Sequence, residues 1–359
     1  MDLNYLLSLS SGFLITAVLL KILQPVAHNI GLVDVPSHRK NHLGDVPLTG
    51  GLAMFLGLGF ALLTLDLPLS QLRAFIGGAM ILVTVGLLDD LHELSPTIRF
   101  AAQIISATLM ATWGGVMLND FGMLISDNFI VELGWLALPI TIFSTVGVIN
   151  ALNMVDGVNG LAGSVSLVSV IGMIIIAITA NDTLATHWLG IVAVVLFAFL
   201  LFNWRFGKHQ AKTFMGDSGS MLIGFVLAWS LIDLSQGEQR AMSPVTALWL
   251  FAIPLIDTLT MMVRRIRKRQ SPFTADCEHF HHLLQCAGVG KFQTTIAITL
   301  MSILYAGFGL YGHFTGIPEY VMFYLFLSLF FIHLLIIMRA WKTMRFLKKH
   351  LEPSGGSSS

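Results

Sequence analysis

Four short clusters in this sequence gather acids, amides, histidines and glycines. They are Asp89-Asp90, Asn153-Met-Val-Asp156-Gly157, Phe214-Met-Gly216-Asp217-Ser218-Gly219 and Asp276-x-x-His279-Phe-His281-His282. Together they suit a shared cation, a proton relay or a phosphate. Neighbours on a helix do not face each other, so Asp89 and Asp90 can serve two tasks, one carboxylate on a metal and one on a proton or a lysine. Asn153 and Asp156 lie three apart and share a helix face, and Gly157 permits close approach of a ligand to the backbone. Asp217 or Ser218 could cap a helix. Flanked by glycines, the same segment could instead bring helix N–H groups to a phosphate. Asp217 could also hold Mg²⁺, which takes hard oxygens from one or two carboxylates plus substrate phosphates.

Three further features bear on the chemistry. The run Arg264-Arg265-Ile266-Arg267-Lys268-Arg269 is mostly what a membrane protein places at a cytoplasmic helix end, but arginine also recognises phosphates bidentately. His279, His281 and His282 lie near Cys277 and Cys286. Their spacing matches no usual structural zinc pattern, which favours phosphate or sugar recognition. Asp257 falls well inside an apolar stretch, where an acid is a functional candidate or a buried interhelix hydrogen-bonding group.

The elements that position these residues are membrane spans. Of the 359 residues, 55% are hydrophobic and 11% charged, against about 25% charged in soluble domains. The mean hydropathy is +0.79. Apolar stretches long enough to span a bilayer run roughly over 3–24, 48–66, 71–88, 98–117, 131–152, 158–179, 187–203, 218–234, 244–263, 294–313 and 319–340. This pattern predicts an all-α, polytopic integral membrane protein of about eleven helices, with no internal repeat. Residues 1–350 form one domain, and 351–359 (LEPSGGSSS) are a flexible tail or an appended remnant. No basic n-region precedes the first stretch, so it is read as a retained helix. With eleven spans, eighteen of the 20 Lys and Arg fall on one side, leaving only Arg73 and Arg240 on the other. The positive-inside rule then puts the N-terminus in the periplasm and the C-terminus in the cytoplasm. All four clusters lie on the cytoplasmic side. Zero formal net charge gives no electrostatic case for nucleic acid. A secondary transporter would place its polar groups near the bilayer midplane, where only Asp257 is a candidate.

In this order, the clusters resemble those of the polyprenyl-phosphate N-acetylhexosamine-1-phosphate transferase family. The likeness runs from Val33-Asp-Val-Pro-Ser-His-Arg39-Lys40-x-His42 to the last helix. The family's aspartate pair falls on Asp89 and Asp90, its NxxDG on Asn153–Gly157, its MGDxGS on Met215–Ser220 and its HxHH on His279, His281 and His282. The branch that transfers GlcNAc-1-phosphate is the most similar, through Ser243–Trp249 and Arg264–His282. The resemblance implies transfer from UDP-GlcNAc to undecaprenyl phosphate, releasing UMP and initiating a lipid-linked surface polysaccharide. The same chemistry with UDP-GalNAc or UDP-MurNAc-pentapeptide is the alternative. The implied cofactor is Mg²⁺, with Mn²⁺ as a substitute, and the implied setting is the bacterial inner membrane with the site on its cytoplasmic face. Membrane lipids are partners, and a homo-oligomer is allowed. Asp217, Asp89 and Asp90 become the candidate metal ligands and, with Asp156, the catalytic acids. Asn153, Arg265, His279, His281 and His282 become the substrate-binding set. Many relatives carry an aspartate where this chain has Asn159, so position 159 is excluded as an essential anionic ligand.

Overall fold

A computed structural model describes residues 3–35, 44–65, 69–204, 211–271 and 279–351, without the side chains of 69–71 and 344–351. Thirteen helices follow in order: α1 (Leu3–Ile30), α2 (Gly50–Leu62), α3 (Leu69–His92), α4 (Pro96–Thr112), α5 (Ala137–Val155), α6 (Leu161–Thr179), α7 (Thr183–Asn203), α8 (Gly216–Ser235), α9 (Pro244–Leu250), α10 (Ala252–Arg267), α11 (Phe280–Cys286), α12 (Lys291–Thr315) and α13 (Glu319–Leu351). The only paired strands among the described residues are β1 (Val33–Asp34) and β2 (Val46–Pro47), antiparallel. Among the described residues, eight helices are long and apolar enough to cross a bilayer, or nine if the bent pair α9–α10 counts as one span. The chain is therefore a multi-pass, all-α membrane protein. Among the described residues, each of the eleven expected stretches overlaps helix, with three differences. The stretches at 48–66 and 98–117 form helices of only 13 and 17 residues.

The stretch expected at 244–263 is not one helix. It breaks at Phe251 into α9 and α10, bent by 86°. Pro254 explains the break. It has no N–H to donate to the carbonyl four residues back, which belongs to Leu250. Ser169 of α6 donates to that carbonyl instead, at 2.7 Å. The short helix α11 was not expected from hydropathy.

In lipid, helices associate through close packing of small residues, because the tails are as apolar as leucine. On α1, Ser8, Gly12 and Thr16 are buried at four-residue spacing while Leu3, Leu7, Leu14, Val18 and Ile22 are exposed. A Cβ on Gly12 would lie 3.3 Å from Ala61 of α2, so this stripe sets the α1–α2 approach. The centre is α8, with 17 of its 20 residues buried. There, a Cβ on Gly224 would come within 2.6 Å of the Ile149 Cα on α5.

The entry to α8 is held by loop backbone. Phe214 N–H donates to the Pro47 carbonyl, and the N–H groups of Gly50 and Gly51 donate to Phe214 and Met215. Thr49 and Thr213 pair at 2.8 Å. Asn203 accepts from Gly160 N–H and donates to the Thr213 carbonyl. At the far end of the bundle, Arg240 bridges Asp120 and Glu319 at 3.0 and 3.7 Å.

One contact tests this packing. A Cβ on Gly86 of α3 would collide with backbone atoms of Asp217 and Ser218, whereas one on Gly77 meets nothing within 4 Å. Gly86→Ala should destabilise by about 1–3 kcal/mol through overpacking, and Gly77→Ala should be neutral. Thermal unfolding midpoints in detergent distinguish the two.

Candidate active site

The first turn of a helix exposes N–H groups that have no partner within the helix. At α8 these groups are capped from another helix. Asp90, in the last turn of α3, accepts from Asp217 N–H at 2.8 Å through one oxygen. Its other oxygen accepts from Ser218 N–H at 3.3 Å and Ser218 Oγ at 3.1 Å. Gly216, at φ +69°, has no Cβ to strike this carboxylate. Two expectations change as a result. Neither Asp217 nor Ser218 caps its own helix, and these N–H groups are not open to a phosphate because Asp90 occupies them.

With its backbone fixed, Asp217 points its side chain, 29% exposed, towards three neighbours. Asn153 Nδ2 donates to its Oδ1 and also to Ser220 Oγ at 2.9 Å. Arg99 of α4 lies 3.5 Å from its Oδ2 and 2.9 Å from Asp89 Oδ2. The other oxygen of Asp89 accepts from Leu94 N–H at 2.6 Å. The adjacent acids Asp89 and Asp90 thus do separate jobs, one orienting Arg99 and the other fixing α8.

A second group comes from α10 and α11. Asp257 does not stand alone. It accepts from His279 Nδ1 at 2.9 Å and from Phe280 N–H at 3.0 Å, tying α10 to the start of α11. His281 is buried and stacks parallel to His279, with ring centroids 5.9 Å apart. It leaves no room for a Cβ at Gly157, which explains that glycine. Burial and neighbouring His282 hold the His281 imidazole down at about 3, so the ring is neutral. Asp156 sits just past α5. Burial and the charges of Asp217 and Asp90 push its carboxyl well above the usual range. Arg265 is buried, 1% exposed, and the guanidinium of its neighbour Arg264 lies 5.4 Å from the Trp341 ring on α13.

These groups meet in one cleft of about 280 Å³, lined by Asn153, Asp156, Asp217, Arg265, His279, His281 and His282 among the expected residues. Asp89, Asp90 and Asn159 are not among its lining residues. Arg99, Gln103 and Asn150 line it as well and were missed. In the sequence Arg99 is only one of the eighteen basic residues that set the topology, and the two amides lie in apolar stretches without a motif. Asp276 and Cys277, the basic residues Arg39, Lys40, Arg205 and Lys208, His42 and positions 352–359 lie outside the described residues. The zinc reading, which needs Cys277, lies outside them too.

A family model described as glycosyl transferase family 4 matches residues 72–235. Over 350 residues, 97% of this chain and 95% of the relative, the sequence is 39% identical to an undecaprenyl-phosphate alpha-N-acetylglucosaminyl 1-phosphate transferase of Salmonella typhi. The protein of that name from Escherichia coli (strain K12) is 38% identical over 95% of this chain and 93% of its own length. The one from Haemophilus influenzae is 39% identical over 96% and 97%. The chain belongs to glycosyl transferase family 4. Within this transferase, the matched region contains Asp89, Asp90, Arg99, Asn153, Asp156 and Asp217. Arg265 and the histidines lie beyond it.

Two measurements probe the α10–α11 joint. Asp257→Ala strands two buried donors, which costs about 1–3 kcal/mol, and should lower both unfolding temperature and turnover. Asp257→Asn keeps an oxygen for Phe280 N–H and needs only a tautomer change at His279, so it should retain most of both. The pH dependence carries a sign. With a folded value near 3 against 6.5 in the unfolded chain, protons bind the unfolded state first as pH falls. The stability contributed by neutral His281 is full above pH 6.5 and is lost towards 3. Asp156 acts oppositely, since a raised carboxyl destabilises as pH rises. Because the two oppose each other, the check is a difference: as pH falls from about 7 to 5, the unfolding midpoint of the wild type should drop relative to that of His281→Gln.

Proposed function

We propose that this chain transfers N-acetylglucosamine 1-phosphate from UDP-GlcNAc to undecaprenyl phosphate. A phosphate oxygen of the lipid forms a bond to the β-phosphorus of the donor. The bond from that phosphorus to the bridging oxygen breaks, and UMP leaves with the electron pair. The products are undecaprenyl-diphospho-N-acetylglucosamine and UMP. The carrying observation is the convergence of Asp217, Asn153, Asp156, Arg99, Arg265 and the histidines in one cleft at the polar ends of apolar helices. The near full-length likeness to transferases bearing that name supports the same reading.

Phosphoryl transfer needs positioning and charge neutralisation more than covalent help. Arg99, shared between Asp89 and Asp217, is placed to offset phosphate charge, and Arg265 supplies a second cation from the other wall. The acceptor phosphate is largely ionised near neutral pH. We therefore assign Asp89 and Asp90 to positioning Arg99 and α8, and not to removing a proton. Neutral His281 with its neighbours suits hydrogen bonds to the sugar or diphosphate. Direct attack is favoured because, among the described residues lining the cleft, no serine or cysteine stands beside an evident base.

The donor set fits Mg²⁺. Asp217 offers hard carboxylate oxygens to the cleft, and Asn153 holds one of them through its Nδ2. Among the described residues no cluster of three or more His, Cys, Asp or Glu has metal-holding geometry. Mg²⁺ needs only one or two protein carboxylates when substrate phosphates supply the remaining oxygens, and Asp217 is the residue we assign to it. When bound, Mg²⁺ would neutralise the diphosphate charge. The basic residues crowd the side of the bundle that bears the cleft, and we infer that this side is cytoplasmic and the membrane the bacterial inner membrane.

The test is transfer by purified enzyme, with the lipid product weighed across a panel of UDP-sugars. Inverted vesicles should accept external UDP-GlcNAc, and right-side-out vesicles should not. A product formed only from UDP-GalNAc or UDP-MurNAc-pentapeptide would move the chain to another branch. EDTA should abolish transfer, with Mg²⁺ or Mn²⁺ restoring it. Asp217→Asn should lower kcat by roughly 10²–10³ through lost charge stabilisation while leaving the protein folded. Full activity in excess EDTA would remove Asp217 from its role.

A further inference from the structure

The cleft has two layers. The upper layer, at the helix ends, holds Arg99 of α4, Asn153 of α5 and Asp217 of α8. One turn deeper along the same three helices lie Gln103, Asn150 and Met221, all lining the cleft. At 1.5 Å of rise per residue, this floor is about 4–6 Å further from the helix ends. It carries no charge.

The floor is nonetheless oriented. Asn150 Nδ2 donates to Gln103 Oε1 at 2.7 Å and to the Val146 carbonyl at 2.8 Å. Both its hydrogens are therefore committed, and Gln103 must present its oxygen to Asn150 and its NH₂ group elsewhere. Gln103 is 3% exposed. Among the described residues, the acceptor facing that NH₂ is Met221 Sδ at 3.6 Å. A thioether is a weak acceptor, and one amide hydrogen is left over. A buried donor held this way, in a cleft wall within the membrane, is expensive unless a ligand uses it.

We propose that Gln103 donates a hydrogen bond to the phosphate of the lipid acceptor, with Asn150 as the positioning residue that fixes the direction of its amide. This rests on the transfer reaction proposed above. The two substrates reach the cleft from different media. The nucleotide donor is water-soluble and enters at the helix ends, where the arginines and carboxylates lie. The acceptor phosphate heads a hydrocarbon chain that stays in the bilayer, so it comes to the deeper layer. In-line displacement puts the incoming and leaving oxygens on opposite sides of the phosphorus. Attack from the floor therefore expels UMP towards water. The helix that carries Gln103 is at the lipid boundary, since Ile98, Ile104 and Ile105 on α4 are about half exposed. A phosphate oxygen only accepts, which matches the spare amide hydrogen. A neutral donor costs less at this depth than a lysine or arginine would.

The experiment is steady-state kinetics of the purified full-length protein in detergent, varying undecaprenyl phosphate and UDP-GlcNAc separately, with unfolding temperatures in parallel. Gln103→Leu should raise the KM for undecaprenyl phosphate roughly tenfold or more, the usual consequence of losing a hydrogen bond to a charged group, with the KM for UDP-GlcNAc within about twofold. Gln103→Glu should raise the acceptor KM further, because it sets a carboxylate against the phosphate. Gln103→Met, unbranched and of similar length, is the substitute if Leu does not fold. Asn150→Leu should shift the acceptor KM in the same direction by less. A rise in the donor KM alone would overturn the proposal and assign the amides to the nucleotide sugar. Lower unfolding temperatures with both KM values unchanged would overturn it too, reducing the pair to a staple between α4 and α5. If wild-type protein transfers nothing to any polyprenyl phosphate, the reaction itself is misassigned, and that is known before any variant is assayed.

Discussion

A helix that begins inside a protein must find partners for its first N–H groups, and at α8 that partner is a single carboxylate from another helix. Asp90 satisfies the N–H groups of both Asp217 and Ser218. The contact requires α3 to approach the start of α8 without side chains between them, which Gly86 allows, and α2 to approach from another side, which Gly51 allows. Everything chemical in the cleft is measured from this point. Asp217 projects from the capped turn, and Asn153 and Arg99 bond to it. The second acid, Asp89, then holds Arg99. Negative charge at a helix N-terminus is stabilising in its own right, so the same carboxylate serves packing and electrostatics.

The other wall is organised differently. Its arginine and histidines stand on the short helices α10 and α11, joined by Asp257 through His279 and Phe280. That joint leans on α13 through Trp341 against Arg264 and through His333 against Phe280, whose ring centroids are 5.2 Å apart. A rigid carboxylate wall thus faces a wall assembled from smaller pieces. The family model covers the first wall and stops before the second.

Much of this was legible from residue order. Apolar stretches marked where helices would be, since hydropathy reports directly on burial in lipid. The motif residues Asn153, Asp156, Asp217, His279, His281 and His282 do share one cleft, because each cluster ends a span on the same side. Hydropathy could not show the break at Phe251, because both halves are apolar enough to pass together. Pro254 was the available signal, removing a bond to Leu250. Nor could it separate Asp89 from Asp90, whose difference depends on which neighbouring helix each meets. Gln103 and Asn150 were invisible for a related reason: a lone amide in an apolar run has meaning only once its partner across the helix pair is known.

The break at Phe251 also bears on how the molecule is made. The seven residues of α9 and the sixteen of α10 rise about 10 and 24 Å, and neither half alone covers a hydrocarbon core of about 30 Å. No continuous rod is offered to the bilayer at this point of the chain, and the carbonyl at Leu250 would be bare in lipid without Ser169. The bent pair is accepted by the membrane only as part of an existing surface. Some of that surface, Ser169 on α6, is synthesised earlier. The rest, where Trp249 packs against Phe308 of α12 and Phe326 of α13, emerges from the ribosome later. The carboxylate half of the site can therefore be assembled while the chain is still growing, but the arginine and histidine half waits for the last two helices.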